Sequence, residues 1–191
     1  MTPTHVWLAR HAETAWSITR RHTGRTDLPL TEDGRAAAAT LRPVLAGRDW
    51  SLVLCSPLQR ARETADLAGV GDRVQLRDDL LEWDYGEAEG LTTEEVREQQ
   101  PGWLLWRDGA PGGEAPEDVT ARADRVVEEL LAIEGEALVV AHSHLLRVLA
   151  ARWVEQPAAF GQRLPLPTAG VSVLGWEREA RAIVRWGTPP G

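Results

Sequence analysis

Val6-Trp7-Leu8-Ala9-Arg10-His11 and Val139-Val140-Ala141-His142-Ser143-His144 share one local grammar: an apolar run ends directly on a histidine. Each run has the length of a buried strand, and the second passes at once into a helical pattern over 143–154. A third junction has the same form: the apolar run of residues 51–55 ends at Cys55 and meets Ser56-Pro57-Leu58-Gln59. Serine, then proline, then glutamine three places on reads as a capped helix start, with Ser56 as N-cap and Pro57 in the first turn. Strands alternating with helices predict an α/β fold: a three-layer α/β/α sandwich around a mostly parallel sheet. In such sheets ligands gather at the carboxyl ends of the strands. That places His11, His142 and the first turn after Cys55, with Arg60 in it, along one edge.

Working outward from these junctions, Thr31 reads as the N-cap of a helix continuing through Ala38, Leu41 and Leu45, kinked or shortened at Pro43. Residues 74–76 suit a short strand and 117–133 a long amphipathic helix. Residues 171–176 and 182–186 suit a strand pair turning near Glu179. The stretch 82–118 is rich in Gly, Pro, Trp and acid, and reads as a cap over the active site with one helix near 92–99. Its Trp83, Trp103, Trp106 and Arg107 form either a lid over substrate or a small local core. There is no repeat and no linker, so 1–191 is expected to be one domain. The tail 188–191 is expected to fray.

Composition narrows the chemistry. A net charge of −8 argues against nucleic acid or an anionic membrane held by bulk electrostatics. All 21 Lys-or-Arg positions are arginine, which removes Schiff-base lysines and Walker-type phosphate loops from consideration. No run approaches the roughly 18 apolar residues of a membrane helix, and the first residues show no leader pattern. A single cysteine leaves no internal disulfide. A cytoplasmic protein is the expectation.

The motifs sharpen it. Arg10-His11-Ala12-Glu13-Thr14 resembles the Arg-His-Gly-Glu-Thr signature of the histidine phosphatase superfamily, which includes cofactor-dependent phosphoglycerate mutases. Thr23-Gly24, the Ser56–Thr64 segment, Leu81–Gly86 with Glu89-Gly90, and Ala141-His142-Ser143 resemble its later motifs, in order. The resemblance covers nearly the whole chain and is strongest to broad-specificity acid phosphatases and the sugar-bisphosphatase branch.

The resemblance implies that His11 is the nucleophile that becomes phosphohistidine. Arg10, Arg60 and a cationic His142 bind the phosphoryl oxygens, and Glu82 is the general acid. Thr23, Gly24 and Ser143 add phosphate contacts, and His22 and His144 touch substrate or rim the cleft. It implies no metal and no cofactor. The chemistry is coherent: neutral imidazole attacks phosphorus without a metal, and guanidinium groups match the charge spread over the transferring group. Arg62 competes with Arg60, and Glu13, Asp84 and Glu89 compete with Glu82. Two family glycines are replaced, by Ala12 and Ser143. Strain is expected if either backbone needs positive φ, with a slightly narrowed pocket.

Rival chemistries fit less well. A Cys-x5-Arg phosphatase loop fails because Cys55 and Arg60 enclose four residues. A metal hydrolase built on His142-x-His144 lacks a second histidine pair. A phosphoglycerate mutase and a non-catalytic phosphate-binding module are the alternatives. The phosphatase is preferred because the chain lacks the longer insertion and the covering tail of the mutases. The expected partner is a small phosphorylated metabolite, a sugar phosphate by preference, with a homodimer left open.

Overall fold

The computed structural model describes residues 5–188. The readings on the first four residues and on residues 189–191 lie outside them. A six-stranded sheet runs through the centre in the order β3-β2-β4-β1-β5-β6. The strands are β1 His5–Arg10, β2 Trp50–Cys55, β3 Gln75–Leu76, β4 Glu136–Ala141, β5 Val171–Glu177 and β6 Ala180–Thr188. The β1–β4, β4–β2 and β2–β3 pairs are parallel, and β5 and β6 close one side with antiparallel pairs.

Strands covered on both faces read as continuous apolar runs. Within them the period of two assigns the faces. Val6, Leu8, Leu54, Ala137, Val139 and Ala141 point to one side, where α7 (Pro116–Leu131) and α8 (Ser143–Trp153) pack. Trp7, Ala9, Val53, Cys55, Leu138 and Val140 point to the other, covered by α2 (Glu32–Ala39), α3 (Arg42–Leu45) and α4 (Gln59–Leu67). The result is the three-layer α/β/α sandwich.

Local departures have local causes. Thr31 does cap α2, its side chain accepting from Gly34 N–H at 2.9 Å. The helix then stops at Ala39 and restarts as α3 with Pro43 in its first turn, because proline offers no N–H to continue the ladder. Ser56 does not cap α4. The helix begins at Gln59, whose N–H is accepted at 2.7 Å by the Asp27 carboxylate from a distant loop. The 82–118 stretch holds two helices rather than one: α5 (Thr93–Gln99), with Thr92 and Glu95 in a capping box, and the single turn α6 (Leu105–Asp108). Trp83, Trp103 and Trp106 are buried and continuous with the α7/α8-side core, while Arg107 pairs with Asp108 at the surface. These tryptophans are core and not a lid. A four-residue turn, α1 (Ala15–Ile18), completes the helices.

The register builds the site. Arg10 pairs with Ala141, and Cys55 with Val140, so His11, His142 and Ser56 leave adjacent strands side by side at the carboxyl edge.

Candidate active site

A cleft of about 380 Å³ opens at that edge, lined by Arg10, His11, Thr14, Ser17, Arg20, Arg21, His22, Thr23, Glu82, Tyr85, Thr93, Ser143 and His144. His11 sits on its floor, 5% exposed. Its Nδ1 lies 2.7 Å from the Ala12 carbonyl, which can only accept, so Nδ1 carries the proton and Nε2 carries the lone pair. Burial, then the charges of Arg10 and Arg60, hold this imidazole well below its usual range. It is a neutral base with its unshared pair available, and no described group occupies Nε2.

Arg10 stands beside it. One Nη donates to the Leu166 carbonyl at 2.6 Å, while the buried Nε has no partner among the described residues. Burial brings its pKa down to about 10. A buried guanidinium donor without an acceptor is costly, and an anion in the cleft is what would satisfy it.

His142 lies on the next strand, its ring centroid 5.2 Å from that of His11, but in a different environment. It is fully buried and does not line the cleft. Its Nδ1 accepts from Arg60 Nε at 3.1 Å, so its one proton is on Nε2 and is donated to Ser56 Oγ at 2.7 Å. Burial and the neighbouring cations, Arg60 first, keep it well below the usual imidazole range. The expected cationic His142 is therefore a neutral one in this structure, because Arg60 already occupies the position its second proton would need.

Arg60 departs from expectation for the same reason. It is fully buried, and besides His142 it donates to the carbonyls of Thr23, Gly24 and Thr26 at 2.9–3.0 Å. Its guanidinium ties the 23–26 loop to His142, and Arg60 does not itself line the cleft. Arg62 lies on the same helix and outside the cleft lining.

Glu82 reaches the cleft from the opposite side. Its carboxylate accepts Trp83, His144 and Leu145 N–H groups at 2.9–3.0 Å, the last two being free donors in the first turn of α8. It clamps the helix that follows His142. Among its competitors, Glu89 holds Gly24 and Thr26 N–H, Glu13 accepts from Thr31 Oγ1, and Asp84 pairs with Arg25. None of these three lines the cleft.

Of the remaining expected residues, Thr23, Ser143, His22 and His144 line the cleft and Gly24 does not. Gly24 gives its N–H to Glu89, and a Cβ there would meet the Trp83 carbonyl at 2.6 Å, so its role is close packing. Neither Ala12 nor Ser143 adopts positive φ, so the replaced glycines introduce no strain. Ala12 faces the core and does not narrow the cleft; Ser143 is on its wall.

The sequence reading missed Tyr85 as a site residue. Its hydroxyl is 2.6 Å from His144 Nδ1, and burial pushes it well above the usual phenol range, so it keeps its proton. We assign that proton to the bond with Nδ1, which leaves the neutral His144 with a donor at Nε2. The signal available was thin: Tyr85 is the chain's one tyrosine, set in a Gly- and acid-rich stretch. Thr14 and Ser17 were missed too, although their reciprocal capping of α1 follows a familiar spacing.

The profile of the histidine phosphatase superfamily (branch 1) matches residues 6–189. The chain belongs to that superfamily. This histidine phosphatase is 43% identical to an acid phosphatase of Mycobacterium tuberculosis over 92% of its own length and 88% of the relative's. It is 34% identical to the sedoheptulose 1,7-bisphosphatase of Saccharomyces cerevisiae, over 76% of this chain and 66% of that one. A solved structure of an open reading frame product from Mycobacterium tuberculosis superposes with a TM-score of 0.92 at 39% identity, covering 98% of this chain and 99% of the other. A mycobacterial glucosyl-3-phosphoglycerate phosphatase in complex with vanadate superposes at 0.84 and 31% identity, over 96% and 98%. The chain is accordingly a phosphoric monoester hydrolase.

Two other features bear on rival chemistries. Burial pushes the Cys55 thiol up to about 12, so it stays protonated and behaves as a core residue. Among the described residues no group of three or more His, Cys, Asp or Glu side chains is arranged to hold a metal ion. No helix among them is long and apolar enough to cross a membrane.

Proposed function

We propose that this histidine phosphatase hydrolyses small phosphorylated metabolites, sugar phosphates by preference, through a phosphohistidine on His11 and without a metal. The observation that carries the reading is the neutral His11, its Nε2 lone pair unengaged beside the unsatisfied Nε of Arg10. Nε2 attacks phosphorus, the ester P–O bond breaks, and Glu82 protonates the departing oxygen. Water then attacks the phosphohistidine and gives a proton back to the Glu82 carboxylate, the P–N bond breaks, and inorganic phosphate leaves with His11 and Glu82 both restored. Arg10 and the first N–H of α8, at Ser143, take the equatorial oxygens; Arg60 and His142 supply charge and fixed geometry from behind.

A sugar-like substrate is supported by the polar lining, in which Thr14, Ser17, Thr23, Thr93 and the His144 Nε2–H offer partners for hydroxyl groups. The names of the relatives point the same way: one acts on a sugar bisphosphate and one on a glucosyl phosphoglycerate. Residues 82–118 act as the cap, contributing Glu82, Tyr85 and Thr93 to the cleft. A cytoplasmic setting fits the buried free thiol of Cys55.

The test is to trap the intermediate. Wild-type protein mixed with p-nitrophenyl phosphate in excess chelator and quenched in base should carry a phosphoryl group on the peptide containing His11. His11→Ala should carry none. A wild type that turns over substrate unlabelled, or only after metal is restored, would overturn the mechanism.

A further inference from the structure

Three arginines line the cleft, and they are not equivalent. Arg10 is the deep one. Arg21 is neutralised by Glu95, with two contacts at 2.8 and 3.2 Å, and also donates to the Gly90 carbonyl. Arg20, at the mouth, is exposed, and its guanidinium has no hydrogen-bond or ion-pair partner among the described residues. The one carboxylate in the lining, Glu82, is held by three backbone N–H groups. The cleft thus presents an uncompensated cation at its mouth in a chain of net charge −8.

The backbone at Arg20 adds a second observation. α1 ends in a Schellman arrangement, Arg21 N–H to the Trp16 carbonyl and Arg20 N–H to the Ser17 carbonyl, with Arg20 at φ 57°. Glycine dominates that position because a side chain there is disfavoured. A long cationic side chain occupies it nonetheless, aimed at the cleft that also contains His11.

We propose that Arg20 forms a second anion subsite, and that the preferred substrate carries another phosphate or carboxylate besides the phosphoryl group that is removed. The inference rests on the phosphatase reading for its catalytic readout. The deep site holds the scissile group between Arg10 and His11. Arg20 then receives the second anion across the hydroxyl-lined floor of Thr14 and Ser17, as a charge-assisted pair.

The experiment compares fructose 1,6-bisphosphate with fructose 6-phosphate, and both with p-nitrophenyl phosphate, on wild type, Arg20→Gly and Arg20→Lys. Arg20→Gly suits the left-handed backbone, so the fold is not at risk. It should raise KM for the bisphosphate by about tenfold with kcat nearly unchanged, and move KM for the two monophosphates by less than about twofold. Arg20→Lys should recover part of the difference, since it keeps the charge but not the planar fork. Arg178→Gly relieves another left-handed arginine (φ 54°), in the β5–β6 turn, and should change none of these values. Equal KM shifts for mono- and bisphosphate, or none, overturn the subsite. If His11 fails to label, the catalytic reading falls instead, and calorimetric binding of the two sugars to the same variants still decides the subsite.

Discussion

The ends of β1 and β4 look alike in sequence and differ in the folded protein. Each is an apolar strand running into a histidine, and the two imidazoles lie close together. His11 keeps one nitrogen unengaged toward the cleft, because its one hydrogen-bond partner among the described residues is a neighbouring carbonyl. His142 has both nitrogens engaged, one by Arg60 and one by Ser56, and no exposure. One end opens on the cleft with a free lone pair; the other is held behind the cleft, and the helix that follows it is gripped by Glu82. What separates the two imidazoles is the partners that other elements bring.

The contrast can be broken most sharply by substituting the two histidines separately. His11→Ala should cost at least about 10³ in kcat, because the covalent route is gone. His142→Ala should cost about 10²–10³ while still forming a slow phosphohistidine, since it removes preorganisation and not the nucleophile. Loss of labelling in both variants, measured by rapid quench, would erase the distinction.

Glu82→Gln probes the second grip. The new amide nitrogen must face a backbone N–H at the start of α8, so some rate is lost on every substrate. A proton-donor role predicts more: kcat for an alkyl phosphate should fall about tenfold further than kcat for p-nitrophenyl phosphate, whose leaving group barely needs a proton. Parallel losses in steady-state assays would confine Glu82 to holding α8.

A smaller, global effect follows from the site's histidines. His11, His22, His142 and His144 are all held below the usual imidazole range, burial being the first cause for each. The unfolded chain therefore binds more protons than the folded one once pH drops below about 6.5, and stability falls with pH from there. Each neutral buried histidine contributes up to about 1.4 kcal/mol per pH unit to that fall. Denaturant midpoints at pH 7.5 and 5.5 should show the loss, and His142→Ala should flatten the slope. A midpoint that holds steady to pH 5.5 would mean that the cleft histidines take up protons without unfolding.

Much of this was legible in advance where a single segment carried its own signal. The buried strands, the Thr31 cap, and the junctions delivering His11 and His142 to one edge are local readings. Ser56 marks the limit. Its pattern with Pro57 and Gln59 is that of an N-cap, yet His142 takes its hydroxyl and Asp27 caps the helix from elsewhere. Arg60 is a similar case: its position on the helix was readable, but not the three carbonyls of the 23–26 loop that engage it.

Sequence alone determined the layered α/β architecture, the edge where the site lies, the superfamily resemblance and the two histidines delivered to that edge, since apolar period and strand-end chemistry are properties of short segments. Tertiary structure alone decided which histidine keeps a nitrogen unengaged toward the cleft, that the tryptophans of 82–118 are core, that Tyr85 bonds His144, and that Arg20 has no charge partner among the described residues. Those outcomes depend on partners distant in sequence, and only the folded chain fixes the distances on which hydrogen bonds and charge pairing depend.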